Sequence, residues 1–281
     1  MFVFVGILLI LLGALMVWFN ISYSPVKKAF DKDIKRIMSE NKLETGNEVF
    51  TEEDFADTPY AIRQYIKNSG YIGKPKMSYT KISFRDVDFM QSKKGPALSI
   101  DYTQYDFAGE PCRMALIESS MFGIPFEGCD YYENGKGGMK GVIAKLFTLF
   151  DQNGEDMDSA GLVTYLSEIL FVPSAILEND VSFSEVDEYT VDAEITFDGK
   201  TVNGRFFFNE EYELIRFTTD ERAMASTDGK IEYVPWKACC SEYEVGESGI
   251  KYPKKLKAVW NLEEGDFVYF EGEISDISYG Y

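Results

Sequence analysis

The hydrophobic and polar positions change pattern three times along the chain. From Met1 to Phe19 the sequence reads MFVFVGILLILLGALMVWF, with no charged residue and no hydroxyl, amide or carboxyl side chain. At about 1.5 Å of rise per residue such a run makes a helix roughly 28 Å long, the hydrocarbon thickness of a bilayer. The expected element is a single transmembrane anchor over residues 1–23. A cleaved signal peptide would begin with basic residues, carry a shorter apolar stretch and end at a small-x-small site. Here the start has no Lys or Arg, and Pro25 stands just past the exit Asn20-Ile21-Ser22-Tyr23-Ser24.

The second pattern is helical. Val26, Phe30, Ile34, Ile37 and Met38 make an apolar stripe from Pro25 to about Lys42, with Ser24 as cap and Pro25 at the first position. Residues 24–48 are read as a juxtamembrane helix and linker, a stalk or a brace. Residues 49–281 are read as one α+β domain. It opens with two short helix starts. Thr51 is followed by three acids, and Asp57 or Thr58 caps a turn with Pro59 first and Ile62, Tyr65 and Ile66 on one face. Gly70 suits the left-handed stop.

From about Lys76 the period is two. Strands are expected over Met77–Phe89, Leu98–Phe107, Arg113–Phe122 and Glu127–Glu133, with a hairpin loop at Glu133-Asn134-Gly135-Lys136-Gly137-Gly138. Met139–Phe150 returns from that loop as strand or, in part, helix. Leu162, Tyr165, Leu166, Ile169 and Leu170 then recur at helical spacing, and Pro173 ends the helix. Strands resume at Tyr189–Phe197, turn at Asp198-Gly199, and continue through Thr201–Phe208, Glu213–Thr219, Trp236–Glu244, Lys254–Leu262 and Phe267–Ile277. The fold class is therefore α+β: an N-terminal transmembrane helix, then a large curved antiparallel sheet with packed helices.

Charge and chemistry narrow the function. The net charge of −19 repels nucleic-acid backbones, so no nucleic-acid partner is expected. The chain has no histidine, which removes the commonest general base and transition-metal ligand. Asp151-Gln152-Asn153-Gly154-Glu155-Asp156-Met157-Asp158 fails the EF-hand pattern, because its glycine falls fourth and Leu162 holds the twelfth position. Gly135-Lys136-Gly137-Gly138 lacks the Lys-Ser/Thr pair of a P-loop. No catalytic residue, metal site or cofactor is expected. Cys112, Cys129, Cys239 and Cys240 have no CxxC spacing, and their disulfide status is open. Adjacent Cys239 and Cys240 point to opposite faces of a strand, one buried and one near the surface. Lys27, Lys28, Lys32, Lys35 and Arg36 behind the anchor put the body in the cytoplasm by the positive-inside rule. Asp31 and Asp33 among them suit an ordinary exposed helix face equally well, so the side of the membrane stays open.

The aromatic load points to binding. Phe206-Phe207-Phe208 puts bulk on both faces of one strand, as in a strand sandwiched between layers or lining an apolar cavity. The candidate ligand-binding residues are Leu162, Tyr165, Leu166 and Ile169 on the helix and Phe206 and Phe208 on the strand.

The segment Thr164-Tyr165-Leu166-Ser167-Glu168-Ile169-Leu170-Phe171-Val172-Pro173-Ser174-Ala175-Ile176-Leu177 resembles a prokaryotic family of membrane-tethered proteins whose domain has no assigned function. In that family a Tyr-Leu-x-Glu helix runs into a Phe-x-Pro-x-Ala-x-Leu corner. Pro59–Arg63, Tyr65, Gly70 and Gly73-Lys74-Pro75 are similar to its opening helix and turn, and Asp151–Asp158 to its loop before the helix. Pro235-Trp236, Tyr243, Gly249-Ile250, Pro253 and Ala258-Val259-Trp260 are similar to its C-terminal strands, so the resemblance covers most of residues 50–277. Phe171-Val172 departs from a common aromatic pair, and the surface is more acidic than usual. The resemblance implies a plan like the lipoprotein-carrier half-barrels, in which a curved sheet wraps helices over an apolar cavity. It carries over no catalytic residue.

The function expected is a non-enzymatic, membrane-anchored domain that binds an apolar or amphipathic ligand such as a lipid. The rival is an interaction domain with a solid core at the membrane surface. A hydrolase using paired carboxylates is a third class, for which the sequence offers no convincing pair.

Overall fold

The computed structural model describes residues 2–43, 48–90, 93, 95, 97–121, 123–225 and 230–281. Met1 of the apolar run, residues 44–47 of the linker and Phe122 at the end of an expected strand lie outside the described residues.

Helix α1 (Phe2–Asn20) is the apolar run, exposed along most of its length and long and apolar enough to cross a membrane. Helix α2 (Pro25–Glu40) begins where the sequence places it. Ser24 Oγ accepts from Lys27 N at 3.1 Å and donates to Glu127 at 2.5 Å. Thr51 and Asp54 exchange hydrogen bonds before a short 3-10 turn at Glu53–Phe55. Helix α3 (Tyr60–Asn68) starts one residue later than expected, with Pro59 as its N-cap and no side-chain cap.

Strands follow in hairpin succession: β1 (Tyr79–Phe89), β2 (Leu98–Phe107), β3 (Cys112–Met121), β4 (Ile124–Glu133), β5 (Lys136–Ile143) and β6 (Phe147–Asn153). Met139–Phe150, open between helix and strand in the sequence, thus lies in the β5–β6 hairpin. Helices α4 (Glu155–Glu168) and α5 (Ser174–Glu178) interrupt the strands. The chain resumes with β7 (Val181–Asp187), β8 (Thr190–Phe197), β9 (Lys200–Phe208), β10 (Leu214–Thr219), β11 (Ala223–Ala225), β12 (Ile231–Tyr233), β13 (Trp236–Val245), β14 (Lys251–Leu262) and β15 (Gly265–Gly280).

One antiparallel sheet of thirteen strands runs in the order β6-β5-β4-β3-β2-β1-β15-β14-β13-β10-β9-β8-β7, and β11 and β12 pair separately. The two edges, β6 and β7, are the strands joined through α4 and α5. Laid flat, thirteen strands at about 4.8 Å spacing would put those edges roughly 58 Å apart. The fourteen residues of α4 span only about 21 Å. Yet α4 touches β3 to β6 near one edge and β8 and β9 near the other, so the sheet must curl around it.

The curl brings two tight turns together. Asn134-Gly135 and Asp198-Gly199 each hold two successive positive φ values, 51° and 73°, and 49° and 74°, the geometry of a hairpin turn that follows strand twist. Beside these turns the rings of Tyr132 and Phe197 lie 6.5 Å apart. Register slips in β1, between Ser83 and Phe84 and between Phe84 and Asp88, add local bends of the kind that curve a sheet.

The main core fills the concave side, where α3 and α4 pack on aromatic and branched side chains. A smaller core on the convex side holds Phe30, Ile34 and Ile37 of α2 against Phe107, Cys112, Met114 and Leu116. Helix α2 is therefore a brace. Lys27 pairs with Glu118 and Arg36 with Glu133 at its flanks.

Candidate functional site

Between α4 and the concave sheet lies a cavity of about 440 Å³. That is the size range of small-molecule sites. Its floor comes from strand alternation. On the inward face of β13 and β14 the paired residues are Trp236 with Trp260, Ala238 with Ala258, and Cys240 with Leu256. The two alanines, facing each other, leave the room that larger neighbours would fill.

Aromatic side chains close the walls. Phe270 meets Phe84 and Tyr102 at 5.4 Å in edge contacts, and Trp260 stacks on Tyr269 at 5.8 Å. Trp236 Nε1 donates to Tyr269 Oη at 3.1 Å, which satisfies the indole in an otherwise apolar wall. Met90 and Lys93 after β1, and Arg222 to Ala225 after β10, complete the lining.

One side of the cavity is polar. Arg113, on β3, is buried and turned inward. Its Nε donates to Glu168 at 2.7 Å, one terminal nitrogen to Asp130 at 2.7 Å and the other to Tyr102 Oη at 2.5 Å. Burial works against the charge, but the Glu168 carboxylate first, with the Tyr102 oxygen and the Asp130 carboxylate, outweighs it and holds the guanidinium protonated above its ordinary range. Burial likewise pushes the Tyr102 phenol up. Behind this group, fully buried Asp106 accepts from Gln104 at 2.6 Å. Burial, then the neighbouring Glu168 carboxylate, raise Asp106 well above the usual carboxylate range, so it keeps its proton.

A second cation, Arg222, lies over Trp236 and Trp260 at 4.8 and 5.1 Å, and its Nε donates to Thr164 Oγ1 at 3.0 Å. The site thus offers a broad aromatic surface, two alanines and a rim of fixed charge. Its inward carboxylates, Asp130 and Glu168, are both engaged by Arg113. Among the described residues no group of three or more Cys, Asp or Glu side chains is placed to hold a metal ion.

Leu162, Tyr165, Leu166, Ile169, Phe206 and Phe208 all lie in the packed core, and none of the six lines the cavity. Tyr165 Oη donates to the Phe107 carbonyl at 2.7 Å, and Phe206 packs on Phe217 at 4.8 Å. The structure brings the six together as core rather than as cavity wall. It is the opposite, mixed face of α4 that reaches the cavity, through Met157, Ala160, Thr164, Ser167 and Glu168. Apolar periodicity marks the face packed most completely, whereas a cavity wall keeps small and polar residues. The polar residues of α4 are covered as well: Asp158, Thr164 and Ser167 are buried. Nor is Phe206-Phe207-Phe208 sandwiched by a second layer. Phe207 is covered by the Arg216 guanidinium at 4.0 Å. All four cysteines are free thiols, with Cys240 buried against the cavity and Cys239 half-buried.

The chain belongs to the DUF6544 family, a family of unknown function whose model matches residues 48–272. This meets the resemblance drawn from the Tyr-Leu-x-Glu helix and its proline corner. No curated protein matches the chain. A solved domain from Vibrio parahaemolyticus, named for outer membrane lipoprotein sorting, is similar over 78% of this chain and 90% of its own, at 8% identity and a TM-score of 0.43. A DUF1329 family protein from Desulfovibrio piger is similar over 78% of this chain and 91% of its own, at 13% identity and a TM-score of 0.41.

Proposed function

We propose that this member of the family is a non-enzymatic, membrane-anchored domain that holds an apolar or amphipathic ligand, a lipid in the first instance, over Ala238 and Ala258. Helix α1 is the anchor, and residues 49–281 are the binding body. The observation that carries the reading is the 440 Å³ cavity, walled by tryptophan, tyrosine and phenylalanine and bounded by a charged cluster. Burying an acyl chain there removes apolar surface from water at about 25 cal/mol per Å². Arg222 and the Arg113 cluster give a polar end of the ligand somewhere to sit. The cavity favours this reading over a solid-core interaction domain, whose interior would be filled.

The test is native mass spectrometry of residues 24–281, expressed without α1, with lipid extraction in parallel. A species of lipid mass bound in stoichiometric amount is expected. A clean unliganded mass, with no uptake when phospholipid or fatty acid is added, would move the assignment to a protein-interaction domain.

A further inference from the structure

Outside α1, the described residues hold three large exposed apolar side chains within four positions at one place, the end of the β5–β6 turn and the start of β6. Leu146, Phe147 and Leu149 are 63%, 65% and 53% exposed. Three hydrophobes left in water on one turn ask for a covering surface.

The same turn is locked to the end of α1. Trp18 Nε1 donates to the Ala144 carbonyl at 2.9 Å. Lys145 is only 6% exposed, and its ammonium donates to the carbonyls of Ile21 at 2.7 Å, Tyr23 at 3.2 Å and Trp18 at 3.4 Å. These are carbonyls at and just past the C-terminus of the helix, where a cation is favoured. Ala144 and Lys145 hold successive positive φ values of 56° and 62°, a backbone that non-glycine residues avoid unless contacts hold it. Trp18 and Tyr23, with rings 6.3 Å apart, are the residue types that mark a bilayer interface. The turn is therefore fixed at the level where the apolar helix ends.

The rest of the sheet is arranged to match. Following the register from Ile143 through Phe126, Ser119 and Ile100 to Val87 shows that the turn lies at the strand ends from which Met90 and Lys93 run on to cover the cavity. On edge strand β6, Phe147 and Leu149 face outward while Phe150 and Gln152 line the cavity.

We propose that Leu146, Phe147 and Leu149 form a wedge that inserts into the bilayer crossed by α1 and seats the β6 edge of the cavity on lipid. The proposal rests on reading α1 as a membrane span. Because the body is strongly acidic and the wedge apolar, the contact is hydrophobic, so salt leaves it unchanged.

The full chain, reconstituted in phosphatidylcholine nanodiscs, tests this with photo-reactive p-benzoylphenylalanine placed singly at positions 147, 149, 245 and 9. All four positions are exposed, and Val245 lies at the far strand ends. Lipid adducts at 147 and 149, at several-fold the yield at 245 and unchanged by added salt, are the expected result. Adducts at 9 with none above the level of 245 at 147 and 149 would overturn the wedge and leave the anchor standing. Absence of adducts at 9 would overturn both.

Discussion

Arg113 shows how much one buried side chain can organise. Three of its donors are taken by Glu168, Asp130 and Tyr102, joining β2, β3, β4 and α4 at the cavity wall. Removing it as Arg113→Ala strands two inward carboxylates, and such a loss costs roughly 3–5 kcal/mol. A drop of that size in the urea unfolding free energy checks it. Asp106 makes a prediction of opposite sign. Its carboxyl titrates above the ordinary range in the fold and at the ordinary value when unfolded. Between those two pKa values the folded chain holds a proton that the unfolded chain has released. Stability from this site is thus complete below the unfolded pKa and is lost as pH rises through the folded one. Asp106→Asn keeps a neutral group that still accepts from Gln104 and does not titrate. Its unfolding midpoint should match wild type at about pH 4 and exceed it by about pH 8; a gap independent of pH would refute the assignment. Neither residue was marked from the sequence. The available signal was an arginine inside the apolar run Cys112–Ile117 and a partner glutamate, Glu168, set between Leu166 and Ile169 of the helix stripe, both hard to place except as buried partners.

At the scale of elements, α4 depends on close approach to β5. A Cβ added at Gly137 would fall 2.1 Å from the Met157 carbonyl oxygen, a backbone atom that cannot step aside without moving the helix. Gly137 N also donates to Asp158 at 2.9 Å, and Lys136 pairs with the same carboxylate. Gly137→Ala should therefore destabilise by roughly 1–3 kcal/mol, as overpacking does, and the thermal melting temperature reads it. Gly135-Lys136-Gly137-Gly138, read from the sequence as part of a hairpin loop, turns tightly at Asn134-Gly135 and then enters β5, where Gly137 leaves room for α4. Much of the element map was legible. Leu98–Phe107 is a strand end to end, the Asp198-Gly199 turn is where its dipeptide puts it, and Ser24 caps α2. Strand β7 was missed because an edge strand, exposed along most of its length, needs little apolar alternation. Strands β11 and β12, three residues each, are too short to show a period.

At the scale of the whole molecule, the sheet curls until one helix touches β6 at one edge and β8 and β9 beside the other, and the space left beside that helix becomes the cavity. Curvature of this kind is a sum of bulges, twist and helix length, none of which is written in a local period. The antiparallel α+β plan could be read from the sequence, while the cavity's position could not. Its floor depends on Ala238 and Ala258 meeting across two strands, and ordinary alanines say nothing until their register is known. Filling that floor gives the molecular-scale prediction. Ala258→Trp should occupy the cavity and reduce ligand stoichiometry at least several-fold, with the far-ultraviolet circular dichroism spectrum unchanged. The chain's three tryptophans are Trp18, Trp236 and Trp260, so residues 24–281 retain only the two that line the cavity. Titrating that body with a dibrominated fatty acid and following tryptophan emission reads occupancy at the site itself. Binding in the cavity predicts saturable quenching of both tryptophans near one equivalent, abolished by Ala258→Trp. Emission that is untouched, or that falls without saturation and equally in the filled variant, would contradict a ligand-holding cavity.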